Sequence, residues 1–335
     1  MITIGIESSC DETSIGIIEN GRKVLANIIS SQIKFHKKYG GVVPEMASRL
    51  HVLKIIPVLE EAQKKAGIVF KNINLIAATQ GPGLLGALST GFTAGKTLAY
   101  TLDLPFIGVN HIEGHIYANL CDEEKEFVFP ALALIASGGH TQLILIKKEF
   151  KYQLISNTLD DAIGEAFDKS ARVIGLGYPG GQIIDRLAKE GDKKAFKFPS
   201  VKTPAPLDFS FSGLKTAVIR LAKEYNLVDK PKDSQIIKDF CASLQNKLIQ
   251  ELVQKTFLAA EQFQVKHIIV AGGVSANSLL REEITKRSGY EIALPALKYC
   301  TDNGAMIASA GYYRYKKGFS TPLSAKPFAS FSDLN

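Results

Sequence analysis

Several features typical of exported and membrane-spanning proteins are missing from this 335-residue sequence. No apolar run reaches the roughly 18 residues that a membrane-spanning helix needs. The four cysteines, at positions 10, 121, 241 and 300, include no Cys-x-x-Cys pair, which excludes a zinc ribbon and argues against a disulfide framework. The N-terminus lacks a basic segment and a cleavage site and is typical of a strand, so we expect no signal peptide. These absences predict a cytoplasmic protein with reduced cysteines.

The charge balance is moderately positive, with 40 lysines and arginines, 33 acidic residues and a formal net charge of +7. Such an excess is compatible with nucleic acid as a partner. Two stretches concentrate it: Gly311 to Lys326 has four basic residues interleaved with tyrosines and no acid, and Lys34 to Lys38 surrounds His36. Each stretch is a candidate RNA-contacting surface, and the alternative for each is an ordinary solvated surface.

Two segments of the chain are similar to each other. Residues 2–18 and residues 131–146 each have the pattern of an apolar strand, a short polar turn and a second apolar strand. The turns share a frame, Ser9-x-x-x-Thr13 in the first and Ser137-x-x-x-Thr141 in the second. Turns of this composition present backbone N–H groups and hydroxyls to anions. The similarity predicts a duplicated domain with a phosphate-binding hairpin in each half; a chance likeness between two hairpins is the alternative.

Strands and helices alternate along the rest of the chain, which indicates the α/β class. A helix is predicted from about Pro44 to Ala66, with Gly67 ending it. A buried strand at 267–271 meets Gly272-Gly273, and Asn277 follows before the next helix. This arrangement is typical of a nucleotide-binding turn, and the alternative is a plain strand-to-helix turn.

The most informative pair is His111 and His115, two of six histidines, which lie four residues apart. In a helix this spacing places both imidazoles on one face, where they could hold a metal ion. Metallopeptidases of the His-Glu-x-x-His type need a glutamate directly after the first histidine. Here Glu113 lies about 200° around the helix from His111, which argues against that role. An ordinary helix with two histidines is the alternative, and Asp302 is either the N-cap of the last helix or a third metal ligand.

A series of motifs over nearly the whole chain is similar to those of one family. They include, in this order, GIESSCDET, YGGVVPEMASRLH, HIEGH, SGGHTQL, GEAFDK, DFSFSGLKT, AGGVSAN and CTDNGAMIA. The sequence resembles the bacterial tRNA adenosine threonylcarbamoyltransferase family (TsaD type), once described as O-sialoglycoprotein endopeptidases. The resemblance implies an α/β fold of the duplicated actin-like ATPase (ribonuclease H-like) kind, with two lobes around a central cleft. We expect residues 1–108, completed by about 305–335, to form the N-terminal lobe, and 109–304 to form the C-terminal lobe with the metal and nucleotide sites.

The resemblance also implies the residues of a site. One divalent metal ion, Fe²⁺ in the first instance and Zn²⁺ as the alternative, is expected on His111, His115 and Asp302. Asp11 and Glu12 of the first hairpin are the catalytic candidates, with Asp11 as proton acceptor. The expected substrate-binding residues are Ile135, Ala136, Ser137, Gly138, Gly139, Asp168, Gly181, Asp185 and Asn277.

The implied reaction transfers the threonylcarbamoyl group of threonylcarbamoyl-AMP to N6 of adenosine 37 in tRNAs that read codons starting with A. The implied partners are tRNA, an inactive paralogue of the TsaB type and a small ATPase of the TsaE type, with no membrane involved. Three alternatives are a metallopeptidase, a small-molecule kinase of the same superfamily and a catalytically inactive scaffold. An inactive paralogue would be expected to lose the metal ligands, and all three are present here.

Overall fold

Two five-stranded sheets with equivalent strand order organise the chain in a computed structural model, which describes residues 1–124, 126–200 and 203–330. The first sheet has the order β3-β2-β1-β4-β5. The second, read in the matching direction, has the order β8-β7-β6-β9-β10. The strands are β1 (Ile2–Glu7), β2 (Glu12–Glu19), β3 (Lys23–Ser31), β4 (Leu75–Gly81), β5 (Phe106–Asn110), β6 (Ala131–Ala136), β7 (Thr141–Lys148), β8 (Lys151–Asn157), β9 (His267–Ala271) and β10 (Glu291–Ala293).

Helices connect the strands and cover the sheets. The α-helices of the described residues are α1 (Ile33–His36), α2 (Pro44–Ala66), α3 (Leu85–Leu102), α4 (His111–Tyr117), α5 (Ile163–Val173), α6 (Gly180–Ala188), α7 (Ser212–Glu224), α8 (Gln235–Gln262), α9 (Ser278–Thr285) and α10 (Gly304–Lys316). None of these helices is long and apolar enough to cross a membrane. The helix predicted at 44–66 is confirmed, and Gly67 ends it in the left-handed conformation with φ of 65°.

The internal duplication is confirmed by topology and by register. In the first sheet β1 pairs antiparallel with β2 and parallel with β4, and in the second sheet β6 pairs in the same ways with β7 and β9. Glu7 lies opposite Ser14, and Ile135 lies opposite Gln142. These two pairs are related by the same sequence offset that relates Ser9 to Ser137. The two hairpins therefore superimpose in the frame that the sequence similarity predicted.

The chain divides into two compact units, one formed by Met1–Glu126 with Pro295–Asn335 and the other by Phe127–Leu294. These boundaries differ from the predicted ones, which followed residues 108 and 304. The difference arises because α4, which follows β5, packs against α10, so the segment 109–126 belongs to the first unit. The helix that carries His111 and His115 is therefore part of the first unit.

The core of the first unit lies on both faces of the β1–β2 hairpin. Strand β1 is buried along most of its length because α10 packs on one side of the sheet and α2 and α3 pack on the other. Along β1 the isoleucines alternate with Thr3, Gly5 and Glu7. Ile4 and Ile6 join a buried cluster with side chains of α2 and α3, whereas Gly5 lies against the backbone of α10. In the second unit a separate cluster around Leu132, Phe167 and Phe240 has the same role.

Glycines allow α10 to lie directly on the backbone of β1 and β2. A Cβ atom placed on Gly304 would lie 2.1 Å from the backbone nitrogen of Gly16, and one on Gly5 would lie 2.2 Å from that of Ala308. Such distances are far below van der Waals contact, so side chains are excluded at this crossing. The backbone N–H of Gly304 donates a hydrogen bond to Ser14 Oγ at 2.8 Å. The start of α10, and with it Asp302, is thereby held on the first hairpin.

Candidate metal centre and nucleotide site

The structure brings His111, His115 and Asp302 together in the first unit. The two imidazoles lie on one face of α4 with ring centroids 4.6 Å apart. Asp302 Oδ1 lies 3.1 Å from His115 Nε2 and 3.6 Å from His111 Nε2. One ligand atom from each of the three residues lies within 4.8 Å of the others, as a shared metal ion requires. The predicted three-residue group is thus assembled from sequence positions far apart.

Helix packing and capping explain this assembly. Gly114 lets α4 approach α10 closely, because a Cβ there would lie 2.7 Å from Ile307 Cδ1. The N-cap of α10 is Asn303, whose side chain accepts a hydrogen bond from the Met306 N–H at 3.0 Å. Of the two roles that the sequence allowed for Asp302, the N-cap role is therefore wrong. Its carboxylate faces the histidines instead.

The unsatisfied imidazole of His115 is the observation that fits a metal. Its side chain is 1% exposed, and neither ring nitrogen has a hydrogen-bond partner among the described residues. The approach of Nε2 to Asp302 is within hydrogen-bonding distance but lacks the direction of a hydrogen bond. A buried polar group without a partner is costly, and a bound cation would satisfy it. Two imidazoles and one carboxylate suit Fe²⁺ or Zn²⁺.

Glu7 orients the first histidine, a role that the sequence did not predict. Its carboxylate lies 3.1 Å from His111 Nδ1 and accepts hydrogen bonds from Thr79 Oγ1 at 2.7 Å and from the Ser9 N–H. In the neutral ring that binds a metal, Nδ1 therefore carries the proton, which leaves the lone pair of Nε2 for the ion. Burial lowers the pKa of His111, but the charges of Asp302 and Glu7 outweigh it and raise that pKa to about 9. Burial likewise raises the pKa of Glu7, and the charge of His111 outweighs it, so that pKa is lowered overall.

Replacing Glu7 with glutamine should weaken metal binding about tenfold to 100-fold, because the charge that fixes the His111 tautomer is lost. Competition with a chromophoric chelator measures this affinity. Glu19→Gln makes the same chemical change near the other end of the hairpin and should bind metal as the unaltered chain does. Equal affinities in the two variants would contradict the orienting role of Glu7.

Glu113 is separated from the metal group by its own ion pair. Its side chain is fully buried and its Oε2 lies 2.7 Å from Arg314 Nη1 of α10. The prediction that Glu113 lies away from the face of His111 is confirmed. A glutamate held in this pair is not placed as the general base of a metallopeptidase. It joins α4 to α10 instead, which supports the geometry of the histidines.

Arg314→Met should lower the free energy of unfolding by about 3 kcal/mol, because it leaves a buried carboxylate without its partner. The double variant Glu113→Leu/Arg314→Met should recover much of this loss, since a hydrophobic pair replaces both charges. Chemical denaturation of the two variants measures the difference. A double variant that is less stable than Arg314→Met would argue against this account.

The catalytic candidates Asp11 and Glu12 lie at the turn of the first hairpin. Asp11 is largely buried, and its Oδ2 has no hydrogen-bond partner in the described part of the chain. Glu12 accepts a hydrogen bond from Ser31 Oγ at 3.0 Å. Burial, followed by the charges of Asp11 and Asp302, raises the pKa of the Glu12 carboxyl well above its usual value. The pair therefore offers one carboxyl oxygen, Asp11 Oδ2, without a hydrogen-bond partner among the described residues, and one carboxyl with a raised pKa.

Buried side chains that the sequence did not single out hold this turn in place. His51 Nε2 donates to the Cys10 carbonyl at 2.9 Å, and the Thr13 hydroxyl donates to His51 Nδ1 at 2.8 Å. The Gln32 N–H donates to the Asp11 carbonyl at 2.9 Å. Burial lowers the pKa of His51, in keeping with a neutral imidazole in this role. His51 is the last residue of the motif YGGVVPEMASRLH, which was the available sequence signal for it. Its hydrogen-bond partner Thr13 is 38 residues away in the chain.

In the second unit, the Ser137–Gly139 turn offers space for a ligand. The Ser137 N–H donates to the His140 carbonyl at 2.8 Å, and the His140 N–H donates to Ser137 Oγ at 3.1 Å. A Cβ placed on Gly138 or Gly139 meets nothing within 4 Å. Ile135 and Ala136 are fully buried in β6, so a ligand would reach only their backbone. Gly272, with φ of 90°, packs against the Ala136 carbonyl and brings the second glycine turn next to the first.

The other predicted substrate residues have capping roles. Asp168 accepts hydrogen bonds from the N–H groups of Gly180 at 2.7 Å and Gly181 at 3.4 Å, at the start of α6. Asp185 accepts from the Ser278 hydroxyl at 2.7 Å. Asn277 is the N-cap of α9, a role that Ser275 could have taken. These residues fix the helices around the glycine turns, and the carboxylates of Asp168 and Asp185 are only partly buried.

Comparison with known proteins identifies relatives over nearly the full chain. A family model described as "TsaD: tRNA N6-adenosine threonylcarbamoyltransferase" matches residues 23–309. A Dictyoglomus turgidum protein named tRNA N6-adenosine threonylcarbamoyltransferase is 50% identical over 333 residues, covering 98% of this chain and 98% of that protein. A protein of the same name from Bacillus subtilis is 47% identical over 322 residues, covering 95% and 92%.

Solved structures with the same fold are much more distant in sequence. Component A of the Acidaminococcus fermentans (R)-2-hydroxyglutaryl-CoA dehydratase has a TM-score of 0.54 at 15% identity, covering 95% of this chain and 98% of that one. Full-length HypF has a TM-score of 0.56 at 13% identity, covering 94% and 46%. With the two equivalent sheets, these likenesses confirm the predicted duplicated actin-like ATPase fold. The family model and the relatives at about half identity show that this chain belongs to the TsaD family of tRNA N6-adenosine threonylcarbamoyltransferases.

Proposed function

We propose that this chain transfers the threonylcarbamoyl group of threonylcarbamoyl-AMP to N6 of adenosine 37 in tRNAs that read codons starting with A. The names of its relatives supply the group and the acceptor atom. The observation that carries the proposal is the group His111, His115 and Asp302 on a chain of this family. These residues leave coordination positions for a substrate, as catalytic metal sites do.

The side chains of the first unit hold the metal and set its surroundings. A divalent ion, when bound, supplies positive charge that polarises a carbonyl oxygen under attack. His111, His115 and Asp302 hold that ion, and Glu7 keeps the ring of His111 in the required tautomer. Fe²⁺ is the proposed ion and Zn²⁺ the alternative, since this ligand set suits both. Anomalous scattering at the two absorption edges distinguishes them.

The exocyclic amine of adenosine is a weak nucleophile, so the protein must orient it and accept its proton. The bond from N6 to the carbonyl carbon forms, the bond from that carbon to the phosphate oxygen breaks, and AMP leaves with the electron pair. The N6 proton passes to Asp11, whose Oδ2 is buried without a partner in the described chain. Glu12 lies beside it, and burial together with the charges of Asp11 and Asp302 raises its pKa.

The second unit binds AMP in this proposal. The open space at Gly138 and Gly139 accommodates phosphate, which small polar turns bind through backbone N–H groups. Gly272 keeps the second glycine turn beside the first. Asp168 and Asp185, with Gly181 and Asn277, complete the surroundings of the nucleotide through the helix starts that they stabilise.

The alternatives receive less support. A metallopeptidase needs a glutamate near the metal, and Glu113 is paired with Arg314 instead. A small-molecule kinase of the same superfamily has no need of two histidines and an aspartate around a metal. An inactive scaffold has no reason to retain all three ligands in contact distance. Partners of the TsaB and TsaE types, and a cytoplasmic location where tRNA is available, complete the proposal.

Purified protein incubated with threonylcarbamoyl-AMP, unmodified tRNA and the two partner proteins tests the function. Nucleosides from the digested tRNA are analysed by mass spectrometry, and threonylcarbamoyladenosine is expected only when all components are present. The same preparation is given casein as a peptidase substrate. Cleavage of casein without formation of the modified nucleoside would overturn the proposal in favour of a metallopeptidase.

A further inference from the structure

We propose that one face of α7 and the segment 193–199 bind the RNA substrate, through its phosphates and one unpaired nucleotide. The inference rests on the proposed function, because it names the surface that holds the tRNA. That surface, the α7 face, comprises Lys197, Thr216, Arg220 and Lys223 with the side chains between them. It belongs entirely to the second unit.

Positive charge is concentrated in this part of the chain. Residues 193–223 contain seven lysines and arginines and a single acidic residue, Asp208, whereas the whole chain has a net charge of only +7. Lys197 and Lys223 are exposed, and no carboxylate of the described residues lies within ion-pair distance of either. Among the residues that the structure describes, Arg220 pairs only with Glu224 on the same helix, and both side chains are about half exposed or more. Such exposed pairs are weak and exchange readily for a phosphate.

A depression with a volume of about 460 Å³ lies within this surface. Lys197 and Arg220 line it together with Phe198, Pro199 and Thr216. Thr216, Arg220 and Lys223 are spaced four and three residues apart, which places them on one side of α7. This volume is near the lower end of the range for ligand sites. The depression suits a single nucleotide whose base contacts the ring of Phe198 and whose phosphates contact Lys197 and Arg220.

Packing beneath the surface keeps both of its sides in place. Leu214, Val218 and Leu221 on the other side of α7 are buried in the core of the second unit. The ring of Phe196 lies 5.1 Å from that of Tyr225 and 5.3 Å from that of Phe240, which anchors the segment before α7. The cations are therefore presented by a supported surface, which lowers the entropy cost of binding.

Several residues of the two basic stretches that the sequence suggested are held in internal contacts. Arg314 pairs with buried Glu113, and Tyr313 accepts a hydrogen bond from Arg22 Nε at 2.7 Å. His36 is buried, with Gln32 as its hydrogen-bond partner at 3.0 Å. These contacts stabilise the first unit. The α7 face differs because Lys197 and Arg220 line a depression beside Phe198.

The test is fluorescence anisotropy with a labelled anticodon stem-loop of an unmodified tRNA and the full-length protein. The triple variant Lys197→Gln/Arg220→Gln/Lys223→Gln should bind at least about tenfold more weakly at 0.1 M salt. The slope of log Kd against log salt concentration should become shallower by about 2 to 3, because each charge removed takes away one phosphate contact. A control with the same change in charge, Lys64→Gln/Lys65→Gln/Lys71→Gln in the first unit, should leave both quantities unchanged.

An equal loss in the control, or no loss in the α7 variant, would overturn the proposal. If the triple variant keeps its RNA affinity but loses binding to polyglutamate, the α7 face binds an acidic protein instead of RNA. Binding is measured without threonylcarbamoyl-AMP, so the two proposals fail separately. RNA binding that depends on the α7 face in a protein without transfer activity would contradict only the function, and full RNA affinity and transfer in the triple variant would contradict only the surface.

Discussion

His115→Ala should lose its metal ion and its transfer activity together. The imidazole is buried beside Asp302 and His111, and in the described chain it has no hydrogen-bond partner that could account for its presence. Lewis-acid activation contributes several kcal/mol to such a reaction, so we expect the transfer rate to fall by at least about 100-fold. Metal content is measured by mass spectrometry of the purified protein and the rate by formation of threonylcarbamoyladenosine.

Thermal unfolding gives a readout of this site that does not depend on activity. A ligand that binds only the folded state raises its stability, so a chelator should lower the Tm of the unaltered chain and leave that of His115→Ala unchanged. Asp302→Asn, at a more exposed position with a side chain of nearly the same shape, is a second variant that should fold in any case. A variant of either kind that is fully metallated and active would remove this group from the mechanism.

Asp11→Asn should slow transfer by about 10²-fold to 10⁴-fold, the usual contribution of a positioned general base. Asparagine has the shape of aspartate but cannot accept the N6 proton, and the hydrogen bonds from His51 and Gln32 that hold the turn involve backbone carbonyls and so remain. The loss should fall on kcat, with KM for threonylcarbamoyl-AMP nearly unchanged. Single-turnover measurements with saturating tRNA separate the two constants.

Glu12→Gln is the matched variant, since it replaces one oxygen of the neighbouring carboxyl with an amide nitrogen, as Asp11→Asn does. If Asp11 is the base, Glu12→Gln should lose less activity than Asp11→Asn, and both should retain their metal. A larger loss in Glu12→Gln would transfer the role to the carboxyl whose pKa is raised. Asp11→Asn with kcat within about threefold of the unaltered chain would exclude Asp11 as the base.

Local patterns predicted much of the fold correctly. The helix at 44–66 begins with proline and ends at Gly67, two signals that act within one turn of the residues concerned. The hairpin similarity predicted the duplication, because strand register follows from alternation and turn length over a few residues. The unit boundaries differ from the predicted ones because the unit to which α4 belongs depends on its packing against α10, which no local pattern specifies.

For the site, the sequence predicted the three residues of the candidate metal centre but not the groups that position them. The spacing of His111 and His115 places them on one face of any helix, so this part needed no tertiary information. Glu7 lies 104 residues from His111, and Glu113 lies 201 residues from Arg314. Contacts of this range arise from strand order and helix crossing. The only local signal for Glu7 was an acidic residue at the end of a strand rich in isoleucine.

The first residues of α10 show most clearly which features the local sequence determines and which depend on tertiary packing. The letters Thr-Asp-Asn-Gly of residues 301–304 specify that a helix begins there, since small polar residues cap helices. They do not specify whether Asp302 or Asn303 is the cap. That choice follows from the crossing of α10 over β1 and β2 at Gly5, Gly16 and Gly304, where backbone contacts backbone and directs Asp302 toward the histidines. Local chemistry sets which groups are available, and packing sets which of them meet.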